Sequence, residues 1–115
     1  MAEVVAAIHS AGALALADVA TIADADYSNA AGVDAVGTTL SGYTADSPRQ
    51  VGPDLDLLAA LVARHNLPVF AEGRVWRPEQ AREALALGAA FVVVGTAITN
   101  PMAITERFVT VMDTD

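Results

Sequence analysis

A chain of 115 residues without cysteine has room for one compact domain or a piece of a larger one, and it excludes disulfide scaffolds and thiolate metal sites. An apolar fraction of 54% beside 17% charged residues excludes a disordered or low-complexity chain. The net charge of −8, with six arginines and no lysine, argues against a nucleic-acid or anionic-membrane partner, yet leaves open a small anion held by backbone N–H groups.

In chain order, Glu3 to Ser10 reads as the tail of a helix with Gly12 at its C-cap. Leu14 to Asp18 reads as a buried strand, Asp24 to Ala31 as a short helix stopped near Gly32, and Val33 to Thr38 as a second strand. Leu40 to Val51 is a loop rich in turn formers. Pro53 and Asp54 open a helix with Leu55, Leu58, Leu61 and Val62 on one side, and Asn66 and Pro68 stop it. Val69 to Glu72 is a third strand. Pro78 begins a helix with Ala81, Ala84 and Leu85 facing inward, ended by Gly88. Phe91 to Gly95 is a fourth strand, and Asn100-Pro101 opens a last helix that ends near Met112.

The longest apolar run, Ala84 to Ile98, is shorter than the roughly 20 residues of a membrane span. The N-terminus lacks the basic stretch of a secretory signal. The expectation is a cytoplasmic protein with neither a membrane nor a nucleic-acid partner.

Ala30 to Thr38 and Ala86 to Thr96 resemble each other: a helix ends at glycine, an apolar strand runs, and Gly-Thr closes it. This is the signature of repeated αβ units with parallel strands. An open parallel sheet and a (β/α)8 barrel both fit. In a barrel the chemistry sits at the C-terminal strand ends, which here carry Asp18, Thr38-Thr39, Glu72-Gly73-Arg74 and Gly95-Thr96.

Gly95-Thr96 ahead of a helix forms a candidate phosphate cradle, with Gly73 in the neighbouring loop. Alternatively both glycines only permit tight turns. Glu72 is either a general acid or base, with Arg74 tuning it or binding an anion, or one half of a Glu–Arg pair tying strand ends together. Asp18 either binds a sugar hydroxyl or caps the next helix. The loop Gly37 to Tyr43 either contacts a polar ligand or satisfies its own backbone. His9 and His65 read as surface residues without metal-ligand spacing. Trp76 reads as packing under the adjacent helix, or as a shield over the site, and Tyr27 as a helix contact.

Four segments, Ala17-Asp-Val-Ala-Thr21, Val36-Gly-Thr-Thr-Leu-Ser-Gly-Tyr-Thr44, Val69-Phe-Ala-Glu-Gly-Arg74 and Val93-Val-Gly-Thr-Ala-Ile-Thr99, together resemble the C-terminal half of the N-acetylmannosamine-6-phosphate 2-epimerase family. The resemblance implies strands five to eight of a (β/α)8 TIM barrel about twice this length. Residues 1–115 would then be one half-barrel with no second domain, and Met1 would fall in the helix after strand four.

The implied activity is interconversion of N-acetylmannosamine 6-phosphate and N-acetylglucosamine 6-phosphate in sialic-acid catabolism. Inversion at C2 would proceed by proton removal beside the aldehyde of the open-chain sugar and return on the other face. By the resemblance, Glu72 is a proton-transfer residue, Asp18, Arg74 and Thr38 bind the sugar, and Gly73, Gly95 and Thr96 bind phosphate. No metal and no cofactor is implied. The family's second proton-transfer residue, a lysine, is absent here, as is a substrate-binding arginine from the first strands. Asn100 stands where some members carry a basic residue.

The leading reading is therefore a phosphosugar epimerase fragment that is inactive alone and pairs with a missing N-terminal half or self-associates. The alternative is a non-catalytic phosphosugar-binding or self-assembling half-barrel. A different phosphate-barrel isomerase fits the Ser41-Gly42-Tyr43 run less well.

Overall fold

The computed structural model of the chain describes residues 1–112. Eleven elements alternate in the expected way: α1 (Ala2–Ser10), β1 (Leu16–Asp18), α2 (Ile22–Ala30), β2 (Ala35–Gly37), a 3-10 turn (Thr38–Leu40), α3 (Leu55–Arg64), β3 (Val69–Glu72), α4 (Pro78–Ala86), β4 (Phe91–Val93), α5 (Thr96–Thr99) and α6 (Pro101–Met112). The strands form one parallel sheet in the order β1-β2-β3-β4. Each strand pairs with the next in sequence, with register pairs Asp18 with Gly37, Gly37 with Phe70, and Glu72 with Val93. This is a half (β/α)8 barrel: four βα units with all strand C-termini on one edge.

Local chemistry sets the helix starts. Thr21 and Asp24 form a reciprocal capping box, the Thr21 hydroxyl accepting from the Asp24 N–H at 3.2 Å and the Asp24 carboxylate from the Thr21 N–H at 2.9 Å. Asp54 caps α3 by accepting from the Leu57 N–H at 2.9 Å. Asn100 caps α6 by accepting from the Ala103 N–H at 3.1 Å, and Pro101 follows at the first helical position.

The third strand has the expected bounds, and the other three are shorter than expected. The second stops at Gly37 because Thr38 turns into the 3-10 segment, and the fourth stops at Val93. The core lies between the sheet and its helices, with Ala25, Val36, Leu58, Leu61 and Ala84 fully buried. Two inward expectations are corrected. Leu85 is 52% exposed because α4 turns only Ala84 into the core, and Leu16 is 51% exposed because β1 is an edge strand whose outward residues meet no neighbour among the described residues. Tyr27, read as a helix contact, is largely exposed.

The histidines separate. His9 is exposed and lies 2.8 Å from Asp34, whereas the His65 side chain is only 6% exposed, against the surface expectation, because the chain leaving α3 folds it toward Asp26 at 3.3 Å. Arg64 grips the same carboxylate with two 2.7 Å bonds, tying α3 to α2. The radius of gyration is 15.8 Å, against about 13 Å for a compact domain of 100 residues. The sheet has open edges, and apolar side chains such as Ile98, Met102 and Phe108 face outward. No helix among the described residues is long and apolar enough to cross a membrane.

One row across the sheet depends on glycine. Phe70 stacks on Phe91 with ring centroids 4.8 Å apart, and a Cβ at Gly37 would lie 2.0 Å from the Phe70 ring. Gly37→Ala is expected to destabilise the chain by about 1–3 kcal/mol, read by denaturant unfolding; unchanged stability would show that the ring has room to move.

The Asp26 pair carries a pH signature. Its hydrogen bonds from Arg64 hold the Asp26 carboxyl below its ordinary value of 3.8. A depressed carboxyl stabilises the fold above its unfolded value, and the contribution fades as pH falls through the lower folded value. The melting-temperature advantage of the unmodified chain over Asp26→Asn should be constant above about pH 5 and fade progressively as pH falls below about 4. A constant advantage down to strongly acidic pH would assign the effect elsewhere.

Candidate active site

The parallel register brings the strand-end residues to one place. A depression of about 220 Å³ is lined by Glu72, Gly73 and Arg74 after β3, Gly95 and Thr96 after β4, and Thr39 and Tyr43 from the loop after β2. Five of the residues singled out in the sequence therefore meet around one cavity.

The remaining two behave differently. Asp18, at the end of β1, reaches the group through Thr39, whose hydroxyl donates to Asp18 Oδ1 at 2.7 Å and lies 3.3 Å from Glu72 Oε2. Asp18 does not cap the next helix; Thr21 does. Thr38 is buried behind the site. Its hydroxyl donates to the Glu72 carbonyl at 3.0 Å and accepts from the Glu72 N–H at 3.2 Å. That side chain is already spent on the backbone of Glu72, and Thr39 is the threonine turned toward the carboxylates.

Arg74 is not the partner of Glu72. After β3 the chain passes through Gly73 at φ +102° and Arg74 at φ +55°, two left-handed residues in succession, the second being unusual for a side chain with a Cβ. This turn swings the guanidinium toward the loop after β2. There it donates to the Gly52 carbonyl at 2.8 Å and the Ser41 carbonyl at 2.7 Å, and it covers the Tyr43 ring at 4.9 Å. Among the described residues its Nη2 is buried without a protein partner. Ser41 in turn donates to Asp54 at 2.5 Å, so the loop is pinned both to β3 and to the start of α3.

Gly95 opens α5, a single turn from Thr96 to Thr99. The first N–H groups of a helical turn lack intrahelical acceptors, and nothing lies within 4 Å of where a Gly95 Cβ would stand. The short segment expected between this loop and the last helix is itself the single turn α5, and α6 follows from Pro101. Trp76 borders the same depression and is covered on one face by Arg107 of α6 at 4.3 Å, so it joins the site wall to the last helix. Among the described residues no group of three or more His, Asp or Glu is placed to hold a metal ion.

Chemically, the depression offers a carboxylate, a hydroxyl-linked second carboxylate, and two glycine-containing loops. Sequence reasoning placed Thr39 and Tyr43 in a strand-end loop that could contact a ligand, but chose Thr38 rather than either of them as a site residue. The signal available was the Thr-Thr pair itself, whose two hydroxyls face different ways when the strand stops between them.

Comparison with known proteins follows the same lines. The family model described as "NanE: Putative N-acetylmannosamine-6-phosphate epimerase" matches residues 1–114. A relative from Caldanaerobacter subterraneus, likewise described as a 2-epimerase of N-acetylmannosamine 6-phosphate, is 50% identical over 97 residues, covering 84% of this chain and 41% of its own. One from Clostridium perfringens is 44% identical over 110 residues, covering 96% and 50%. A solved structure of the N-acetylmannosamine-6-phosphate 2-epimerase from Clostridium perfringens superposes with a TM-score of 0.93 at 44% identity, over 96% of this chain and 48% of that one. The chain spans about half the length of the curated relatives it matches.

Loss of the Arg74 side chain should release the loop. Arg74→Ala is expected to cost about 2 kcal/mol and to speed amide exchange across the Ser41 to Gly52 segment, measured by hydrogen–deuterium exchange. Unchanged exchange there would contradict the pinning role.

Proposed function

The chain belongs to the N-acetylmannosamine-6-phosphate epimerase family, and from that membership we propose that it works as the C-terminal half of a barrel that inverts C2 of N-acetylmannosamine 6-phosphate to give N-acetylglucosamine 6-phosphate, in amino-sugar catabolism in the cytoplasm. Residues 1–115 form one half-barrel unit in this reading. The observation that carries it is the meeting of Glu72 with both glycine-containing loops around one depression.

The chemistry asks for few parts. The C2 proton of the open-chain sugar is acidified by the adjacent aldehyde, and its loss places an electron pair in an enolate. Return of a proton to the opposite face forms the new C2–H bond and restores the aldehyde. Two acid/base groups on opposite faces do this, with the enolate oxygen stabilised between them. Glu72 is one such group. The second, a lysine by the family resemblance, has no counterpart among these 115 residues. The N–H groups after Gly73 and Gly95, with Thr96, hold the phosphate. Asp18 takes a sugar hydroxyl. Arg74 binds substrate indirectly, by holding the loop that carries Tyr43 against the site.

A partner supplies the rest. Edge strand β1, with Leu14 and Leu16 exposed, and edge strand β4, with Phe91 39% exposed, offer unpaired backbone and apolar surface to the N-terminal half of such a barrel. The same edges favour a second reading, a self-assembling phosphosugar-binding module without catalysis.

A coupled C2-epimerase assay separates these. The purified chain alone should be inactive. Activity should appear on adding a lysine-containing N-terminal half and fall at least about a hundredfold with Glu72→Gln. Turnover by the chain alone above its Glu72→Gln control would overturn the half-site reading. A folded mixture without turnover would favour the binding module.

A further inference from the structure

Thr39 has one hydroxyl proton and two carboxylate neighbours. Asp18 Oδ1 stands at 2.7 Å and Glu72 Oε2 at 3.3 Å. A short O–H···O⁻ contact is the stronger, charge-assisted bond, so the proton points to Asp18. The same hydroxyl reaches Glu72 Oε2 as the longer, weaker contact. The backbone of Glu72 cannot drift from this arrangement, because its N–H and carbonyl are both bonded to the Thr38 hydroxyl. The 3-10 turn that carries Thr39 is itself anchored by the Leu40 N–H on the Val19 carbonyl at 3.2 Å.

We propose that Thr39 is a positioning residue: its hydroxyl bridges the Asp18 and Glu72 carboxyls in one array and so fixes where the Glu72 carboxyl stands at the site. Asp18 takes the short contact and Glu72 the long one, so the array holds the two acids unequally. Chains of hydrogen bonds polarise one another at low dielectric, so a substrate that closes over the site tightens the array. The catalytic consequence rests on the epimerase reading; the array itself does not.

The test has one readout for each. In the 115-residue chain labelled with carbon-13 in Asp and Glu, Thr39→Val should move the carboxyl resonances of both Asp18 and Glu72, and Thr39→Ser should return them. Thr39→Ala serves as a second deletion of the hydroxyl without the added methyl. Resonances that stay in place in both deletions would overturn the proposal.

In the chain complemented with its lysine-containing half, the two deletions should lower kcat about tenfold with KM changed less than about twofold, and Thr39→Ser should recover most of the rate. A loss confined to KM, or a serine variant as poor as valine, would overturn the positioning role. Carboxyl resonances that respond in a mixture with no turnover would retire the epimerase reading and leave the array standing.

Discussion

The arrangement at the strand ends depends on what the Thr38 hydroxyl does once the β2–β3 ladder stops. The two strands pair only through Val36 with Val69 and Gly37 with Phe70. Glu72 lies two residues beyond the last pair. There the Thr38 hydroxyl bonds both the N–H and the carbonyl of Glu72, doing with a side chain what another ladder rung would do with backbone. It lets β2 leave the sheet and turn, while β3 continues to its carboxylate. Without that substitution of side chain for strand, Thr39 would lie along β2 and Glu72 would stand alone at the end of β3.

The turn released at Thr38 also begins the loop that walls the site. The loop has little regular structure of its own and is held by polar contacts from outside: Arg74 on the Ser41 and Gly52 carbonyls, Ser41 on Asp54, and the Tyr43 ring under the Arg74 guanidinium. An arginine adjacent in sequence to Glu72 is thereby removed from it in space. Two consecutive left-handed residues, Gly73 and Arg74, accomplish the separation. The carboxylate is left to interact with Thr39 and whatever enters the depression, rather than being neutralised by a neighbouring cation.

The sequence pattern was a reliable guide where one local rule governed. Short apolar runs between helices indicated parallel strands, and helices end at Gly12, Gly32 and Gly88 as read. Asn100-Pro101 opens α6 as read. It misled where tertiary context decided. Leu16 and Leu85 are apolar and on regular elements, yet one belongs to an edge strand and the other to the outer side of α4. His65 is polar, yet packs against the Asp26 carboxylate. At the site, Glu72, Gly73, Gly95 and Thr96 could be singled out because each ends or follows a strand. Thr38 and Thr39 could not be told apart, since their roles depend on the residue at which the strand stops and the 3-10 turn starts. The separation of Arg74 from Glu72 was equally hidden, because backbone conformation at a non-glycine residue leaves no mark in composition.

The central claim is that the C-terminal edge of this sheet is a phosphosugar site. The most direct measurement is a titration of the nitrogen-15-labelled chain with N-acetylmannosamine 6-phosphate, following backbone amides. The account predicts saturable shifts at Gly73, Gly95, Thr96 and Thr39, with the opposite edge, at Gly12, Gly32 and Gly88, unmoved. Shifts confined to that opposite edge, or a folded chain whose strand-end amides do not respond, would contradict it.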